Sequence, residues 1–368
     1  MLALIALANV MIYLHDRPYG LRQHIVEDAP IDKAVAALMV IFVDGRAYPL
    51  FAALFGYGLV RIADHARHKG ADDRGVTSIL RSRSRLLIAF GLLHAVLAFS
   101  GDILGWYGLI GLVVASWTRL NNRALLWIAA VGLVIGSAVQ GFVYADTQVS
   151  DQRSILWSFA ISSPVEALGW RTIEWVMTPV GLLSVASAAL VGMWIAHSDF
   201  LERPANHLLF LKRVAIIGIA MGILGGVGMA LATIGVWDTS PLLTGLLSWL
   251  HIFTGVPAGF GYLAAIALLS VRLKTGYVVF ALRATGERSL SAYLAQTVPF
   301  ALLLPAHTLG VGAWLTTSDA AILGLVTWLA TVVGASILAL HGYSGPAEYL
   351  MRRLRLRPRK MTERKLAA

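Results

Sequence analysis

Apolar residues along this chain gather into roughly ten long runs separated by short polar stretches. Runs of about 17 to 25 residues are what a hydrocarbon layer about 30 Å thick demands of an α-helix rising 1.5 Å per residue. Reading for them gives candidate spans near residues 2–14, 47–62, 86–100, 102–118, 124–144, 177–196, 213–236, 246–270, 289–306 and 319–340. The fold class this predicts is all-α: a polytopic integral membrane protein of about ten transmembrane helices. The first run starts at Met1, has no charged stretch before it and no small-residue cleavage site after it. It therefore reads as a transmembrane helix whose beginning is missing, rather than as a signal peptide. Two further segments are read as interfacial. Residues 30–43 are apolar but precede the Asp44-Gly45-Arg46 break, and 145–176 carries Trp157, Trp170, Trp175 and Pro164 among acidic residues, a composition suited to the headgroup level of the outer face.

Charge orients the bundle. The segment 61–85 holds Arg61, Arg67, Lys69, Arg74, Arg81, Arg83 and Arg85, and the tail over 351–368 runs Arg352, Arg353, Arg355, Arg357, Arg359, Lys360, Arg364, Lys365. Cytoplasmic loops collect Lys and Arg, so both belong inside. Alternating spans put Arg119 and Arg123, then Arg203, Lys212 and Arg213, then Arg272, Lys274, Arg283 and Arg288 on that same side. Ten spans with both termini cytoplasmic satisfy every loop, whereas nine or eleven would leave a basic cluster outside. One membrane domain over 1–350 and a basic tail over 351–368 follow.

Composition agrees: 58% of residues are hydrophobic and 14% charged. The net charge of +10 is accounted for by cationic span ends beside anionic lipid headgroups, so no nucleic-acid partner is expected. The chain has no Cys, which excludes disulfides, thiolate catalysis and cysteine metal sites. Its ten histidines are scattered, and no metal site is expected. Gly218, Gly222 and Gly226, and likewise Gly101, Gly105 and Gly108, form small-residue stripes that read as helix-packing surfaces.

Polar groups within the membrane need a partner or a function. His94 is placed near mid-membrane and Asp102 near the outer surface. In an unbroken helix their eight-residue spacing is about 12 Å and 80°, too far for a hydrogen bond. A turn at Ser100-Gly101 would change that by starting a new helix at Asp102, whose carboxylate would cap it. A histidine merely hydrogen-bonded between helices is the alternative for His94, and a plain cap the alternative for Asp102.

Several strings carry a resemblance. Phe42-Val43-Asp44-Gly45-Arg46-Ala47-Tyr48-Pro49-Leu50-Phe51 with Leu54-Phe55-Gly56-Tyr57-Gly58, and Gly91-Leu92-Leu93-His94-Ala95 with Ser100-Gly101-Asp102-Ile103-Leu104, resemble the YeiB-like bacterial membrane proteins (domain of unknown function 418). Gly286 to Gln296 is similar to that family's Gly-Arg-x-(Ala/Ser)-Leu-(Ser/Thr)-x-Tyr-Leu-x-Gln stretch, and Gly345-Pro346-Ala347-Glu348-Tyr349 to its Gly-Pro-(hydrophobic)-Glu-(aromatic) ending. Two departures stand out. The family's Asp-x-x-Arg-Gly motif would fall just before Met1, and Glu287 occupies a position where Arg is common, leaving Arg288 as the nearest cation.

The resemblance implies location in the bacterial cytoplasmic (inner) membrane and a fold shared with integral-membrane acyltransferases, which move an acyl group from a cytoplasmic donor to an acceptor on the other side. On that reading His94 is the general base, an imidazole having an unperturbed pKa of about 6.5. Asp44 or Asp102 orients it, and Arg46, Tyr48 or Tyr107 stabilises developing negative charge. Arg81, Arg83, Arg85 and Arg288 are candidates to hold the phosphates of an acyl-CoA donor, although the positive-inside rule alone also accounts for them. Tyr293 and Gln296 are further substrate-binding candidates. No firm cofactor is expected; the partners are membrane lipids, the acyl donor and a small-molecule or glycan acceptor. The competing readings are a proton-coupled or small-solute transporter, for which breaks at Ser100-Gly101 and Gly255-Val256-Pro257 would speak, and a noncatalytic scaffold binding lipid or a partner.

Overall fold

A computed structural model of the chain describes residues 1–143, 149–178, 183–273 and 275–354. The expected basic tail from 355 onward, Lys274, and the parts of the expected segments 124–144, 145–176 and 177–196 that fall on 144–148 and 179–182 lie outside the described residues. Among the described residues the regular structure is helical. In order, the α-helices are α1 (Leu2–Ile12), α2 (Pro30–Phe42), α3 (Ala47–His68), α4 (Asp73–Leu97), α5 (Leu104–Val114), α6 (Asn122–Val143) and α7 (Pro164–Met177). They continue as α8 (Leu183–Ala196), α9 (Leu208–Thr233), α10 (Pro241–Arg272), α11 (Tyr277–Glu287), α12 (Ser289–Leu303), α13 (Thr317–Leu340) and α14 (Pro346–Leu354). Each of the ten predicted spans coincides with one of α1, α3, α4, α5, α6, α8, α9, α10, α12 and α13, and the protein is an all-α polytopic membrane protein.

The surface supports that reading. α6 turns Trp127, Val131 and Ile135 outward, and α13 turns out Ile322, Val326, Val333 and Ile337. Such apolar belts are tolerable only in lipid or against a partner. With no hydrophobic force between helices in lipid, close packing must come from small residues. In the α3–α8 pair, Gly56 lies against the Ala189 carbonyl and Gly192 against that of Ala53. In α9–α10, Gly218 faces the Pro257 carbonyl, Gly222 faces Ala258 and Gly225 faces Thr254.

Polar contacts divide into two faces. Arg119 pairs with Asp73, Arg67 donates to Thr118, His197 bonds Asn122 and Arg61 pairs with Glu202. These join the segments that charge assigns to the inner side. Arg17 bonds Glu27 and the Leu315 carbonyl, His24 pairs with Asp44, Arg153 donates to the Met11 carbonyl, and Arg171 donates to Leu97 O and His307. These join the segments assigned to the other side.

Several expectations are corrected. The basic segment 61–85 is mostly helix: α3 runs to His68 and α4 starts at Asp73, capped by the Asp72 carboxylate on Gly75 N. Long cationic side chains let these helices continue beyond the hydrocarbon. Gly101 lies outside any helix, in the 98–103 connection; on α5, Gly108 and Gly111 lie against Ser84 of α4, whereas Gly105 faces Trp175 of α7. α10 runs unbroken through Pro257. Trp175, expected among headgroup-level aromatics, is buried against Gly105 and Trp106.

Candidate functional site

The connection between α4 and α5 does what the Ser100-Gly101 sequence implied. α4 ends at Leu97, the chain turns, and Asp102 accepts from Gly105 N at 2.9 Å through Oδ2, capping α5. The turn also carries Asp102 back beside His94, whose Nδ1 lies 2.8 Å from Asp102 Oδ1. A carboxylate only accepts, so Nδ1 carries the hydrogen; Nε2 is then the acceptor for the Thr297 hydroxyl at 3.0 Å. Tyr293 OH donates to Asp102 Oδ1 at 3.3 Å. The pair is buried, with His94 8% and Asp102 0% exposed. Close approach of α4 to α5 depends on Gly91, where a Cβ would sit 2.1 Å from Gly105 N and 2.5 Å from Asp102 Oδ2.

Asp44 does not meet His94. Its carboxylate pairs with His24 instead, Nε2 to Oδ2 at 2.7 Å. This pair lines a cavity of about 260 Å³ on the outer side, together with Arg22, Tyr48, Arg153, Glu174 and the residues flanking Asp102, Gly101 and Ile103. Tyr48 OH donates to Asn9 at 3.3 Å, and Tyr107 OH donates to the Tyr48 carbonyl at 3.0 Å. The hydroxyl of Tyr107 is therefore engaged with the backbone, while Tyr48 faces the cavity.

Arg46, expected near the outer surface, is completely buried. Its Nη2 donates to the Gly222 carbonyl at 2.7 Å, and Nη1 meets the Asp44 carbonyl and lies 2.9 Å from both ring nitrogens of His251. It forms no ion pair among the described residues. The sharp turn that aims it inward passes through Gly45 at φ +69°, a left-handed conformation costly for other residues. The glycine stripe on α9 makes the room: a Cβ at Gly226 would stand 2.7 Å from Arg46 Nη2.

On the inner side, a cavity of about 510 Å³ is lined by Arg67, Arg74, Arg81, Arg85 and Arg119 with Asp73, Thr77, Ser78, Ser116 and Thr118. It gathers two of the expected phosphate-binding arginines, Arg81 and Arg85. Arg83 is absent from its lining. Arg288 is elsewhere and buried, donating to the Tyr343 carbonyl through Nε and Nη2 at 3.0 and 2.6 Å and to Ala284 O at 3.1 Å. Beside it Glu348 accepts from Leu290 N at 2.8 Å and Ser291 N at 3.1 Å, capping α12. The two C-terminal motifs thus clasp each other. Gln296 Nε2 reaches Thr331 at 3.4 Å, and Tyr293 belongs to the His94 cluster.

Sequence reasoning missed His24, His251 and Thr297. Thr297 lies four residues after Tyr293 on α12, one helical turn on, so helical spacing pointed to it. His24 and His251 find their partners 20 and 205 residues away, which no local pattern signals.

Comparisons with known proteins follow the same lines. Residues 195–358 match the family described as "Protein of unknown function (DUF418)". The chain is 25% identical over 291 residues to "Uncharacterized protein YxaH" of Bacillus subtilis (strain 168), an alignment covering 73% of this chain and 68% of that protein. It is 25% identical over 336 residues to "Uncharacterized protein YeiB" of Escherichia coli (strain K12), covering 84% and 81%. A shorter likeness, 29% over 113 residues, relates 28% of the chain to 47% of "Sensory rhodopsin I" of Haloarcula marismortui. No solved structure matches. With the family match in the C-terminal part and two relatives aligned along most of the chain, this protein is similar to the YeiB-like members of the DUF418 family.

Proposed function

We propose that this chain is an integral-membrane acyltransferase of the bacterial cytoplasmic (inner) membrane, moving an acyl group from a cytoplasmic acyl-CoA-type donor to an acceptor at the outer face. The observation that carries the reading is the buried His94–Asp102 pair, 2.8 Å apart, with Nε2 presented to a hydroxyl. An imidazole held in one tautomer by a carboxylate is suited to general-base work. The two cavities add support, an arginine-rich one inside and a mixed one outside.

In the proposed reaction an acceptor hydroxyl or amine takes the place of the Thr297 hydroxyl at His94 Nε2. It attacks the donor's thioester carbonyl while His94 takes its proton. Asp102 stabilises the imidazolium, and Tyr48, whose side chain lines the outer cavity, is the proposed donor to the developing oxyanion. Collapse expels the thiolate, which recovers the proton from His94. Arg85 and His94 lie nine residues apart on α4, about 13.5 Å along its axis and half a turn round it. A donor seated among Arg74, Arg81, Arg85 and Arg119 would therefore have to reach the base through a long flexible arm, which a coenzyme A thioester has.

The test is acyl-CoA binding and thioester hydrolysis by the purified protein, with His94→Ala and Asp102→Asn alongside. Expected are donor binding by all three and a loss of turnover of about 10² to 10⁴ in His94→Ala. No binding at millimolar acetyl-CoA or longer acyl-CoA would sink the coenzyme A version. A transport path through the same buried pair is the competing account; it predicts no consumption of thioester.

A further inference from the structure

The outer cavity holds more chemistry than acyl transfer at His94 requires. Its His24–Asp44 pair is sheltered, the two side chains being 11% and 18% exposed. A carboxylate only accepts, so His24 Nε2 donates to Asp44, and no hydrogen bond engages His24 Nδ1 among the described residues. The other charged groups lining the space are held in place. Arg22 donates to Ser248 at 3.2 Å, Arg153 to the Met11 and Gln23 carbonyls, and Glu174 accepts from Ser158 N and Oγ at 2.7 and 2.6 Å.

Two guanidinium groups and two carboxylates therefore balance around one cavity. An ion of either sign gains little net attraction there, whereas hydroxyl groups find both donors and acceptors. Apolar side chains supply the rest of the lining, among them Ile12, Ile25, Leu156 and Trp157. The volume of about 260 Å³ stands just below the roughly 300 Å³ at which small-molecule pockets begin.

We infer that the outer cavity binds a neutral, hydroxyl-bearing amphiphile, a polyol or sugar headgroup carrying an apolar substituent, with the His24–Asp44 pair holding one of its hydroxyls. On the acyl-transfer reading, and resting on it, this ligand is the acceptor. The cavity is lined by Gly101 and Ile103 on either side of Asp102, the carboxylate that holds the proposed base. The binding claim itself needs no turnover.

The test uses the full chain in phosphatidylcholine nanodiscs, titrated calorimetrically with n-butyl β-glucoside, butyl phosphate and butylamine. Saturable binding of the glucoside, with neither charged analogue binding at the same concentration, is expected. His24→Ala and Asp44→Asn should each weaken it at least about tenfold, and so should Ile12→Trp, which fills the cavity without touching either charged group. Absence of glucoside binding, equal binding of the charged analogues, or wild-type binding by both His24→Ala and Ile12→Trp would overturn the inference. Loss of thioester turnover as a property of the protein, with glucoside binding intact, would remove the acyl-transfer reading and leave the binding site standing.

Discussion

Replacing Gly91 with alanine tests the geometry of the α4–α5 hairpin and of the buried pair together. The added Cβ would stand 2.1 Å from Gly105 N, so α5 must retreat by about 1.3 Å to restore ordinary contact at 3.4 Å. The obstacle is backbone, which cannot rotate aside, and overpacking of this kind costs about 1–3 kcal/mol. Alanine also returns about 1 kcal/mol through its higher helix propensity. A cleaner comparison is with Gly58→Ala on α3, where nothing lies within 4 Å of the added carbon. The propensity gain is then common to both variants, and Gly91→Ala should be the less stable of the two by about 1–3 kcal/mol.

Thermal unfolding of the two variants in the same nanodiscs reads this directly. The same displacement acts on Asp102, whose Oδ2 would lie 2.5 Å from the new carbon, and so on the bond that holds His94. A shift of about 1 Å in a reacting geometry can cost about 100-fold in rate. On the proposed activity, thioester turnover should fall by that order. Equal or higher melting of Gly91→Ala relative to Gly58→Ala would refute the packing argument, whatever the activity does.

Gly56→Ala and Gly192→Ala each drive a Cβ to about 2 Å from a carbonyl oxygen of the facing helix, 1.9 and 2.0 Å respectively; each should melt below Gly58→Ala, and the two together should cost less than their sum because they part the same helix pair. Glu348→Ala removes the acceptor on Leu290 N and Ser291 N, and loss of this cap should cost about 0.5–2 kcal/mol, visible as faster amide exchange at the start of α12. His307 is held below its ordinary value of 6.5 by burial and by the Arg171 guanidinium. The unfolded chain therefore binds the extra proton first, so the stability this site contributes is complete above pH 6.5 and is lost as pH falls below it. Melting temperatures measured from pH 7.5 to 5 should decline less steeply in His307→Asn than in the wild type, and an unchanged slope would count against the neutral assignment.

The spans were legible because each crossing of hydrocarbon must be apolar for a length set by the bilayer, which leaves a mark no tertiary contact can blur. Their ends were less legible. α4 carries Arg74, Arg81 and Arg85 inside its helix, and nothing in hydropathy separates a helical residue beyond the hydrocarbon from a loop. The His94–Asp102 pair could be anticipated because a Ser-Gly turn between them is a local event. The Asp44–His24 pair could not, since the chain from 13 to 29 contains little regular structure and is fixed by distant partners: Arg17 on Leu315 O, Tyr19 on Ser150 and Glu27 on Thr317.

The glycines on α9 show why packing and polar chemistry cannot be read separately in a membrane protein. Gly218, Gly222 and Gly226 have the spacing of a helix contact, and Gly218 and Gly222 do lie against α10. Yet the same absence of side chains exposes the Gly222 carbonyl to Arg46 Nη2 and clears the space at Gly226 that the guanidinium fills. A buried charge away from water must be met by hydrogen-bond acceptors, and helix backbones supply carbonyls only where small residues let another group come close. His251 and the Asp44 carbonyl complete the set around Arg46. The residue that shapes the Asp44 turn is thus anchored by a helix stripe whose sequence speaks only of packing, and the outer cavity inherits its position from that anchor.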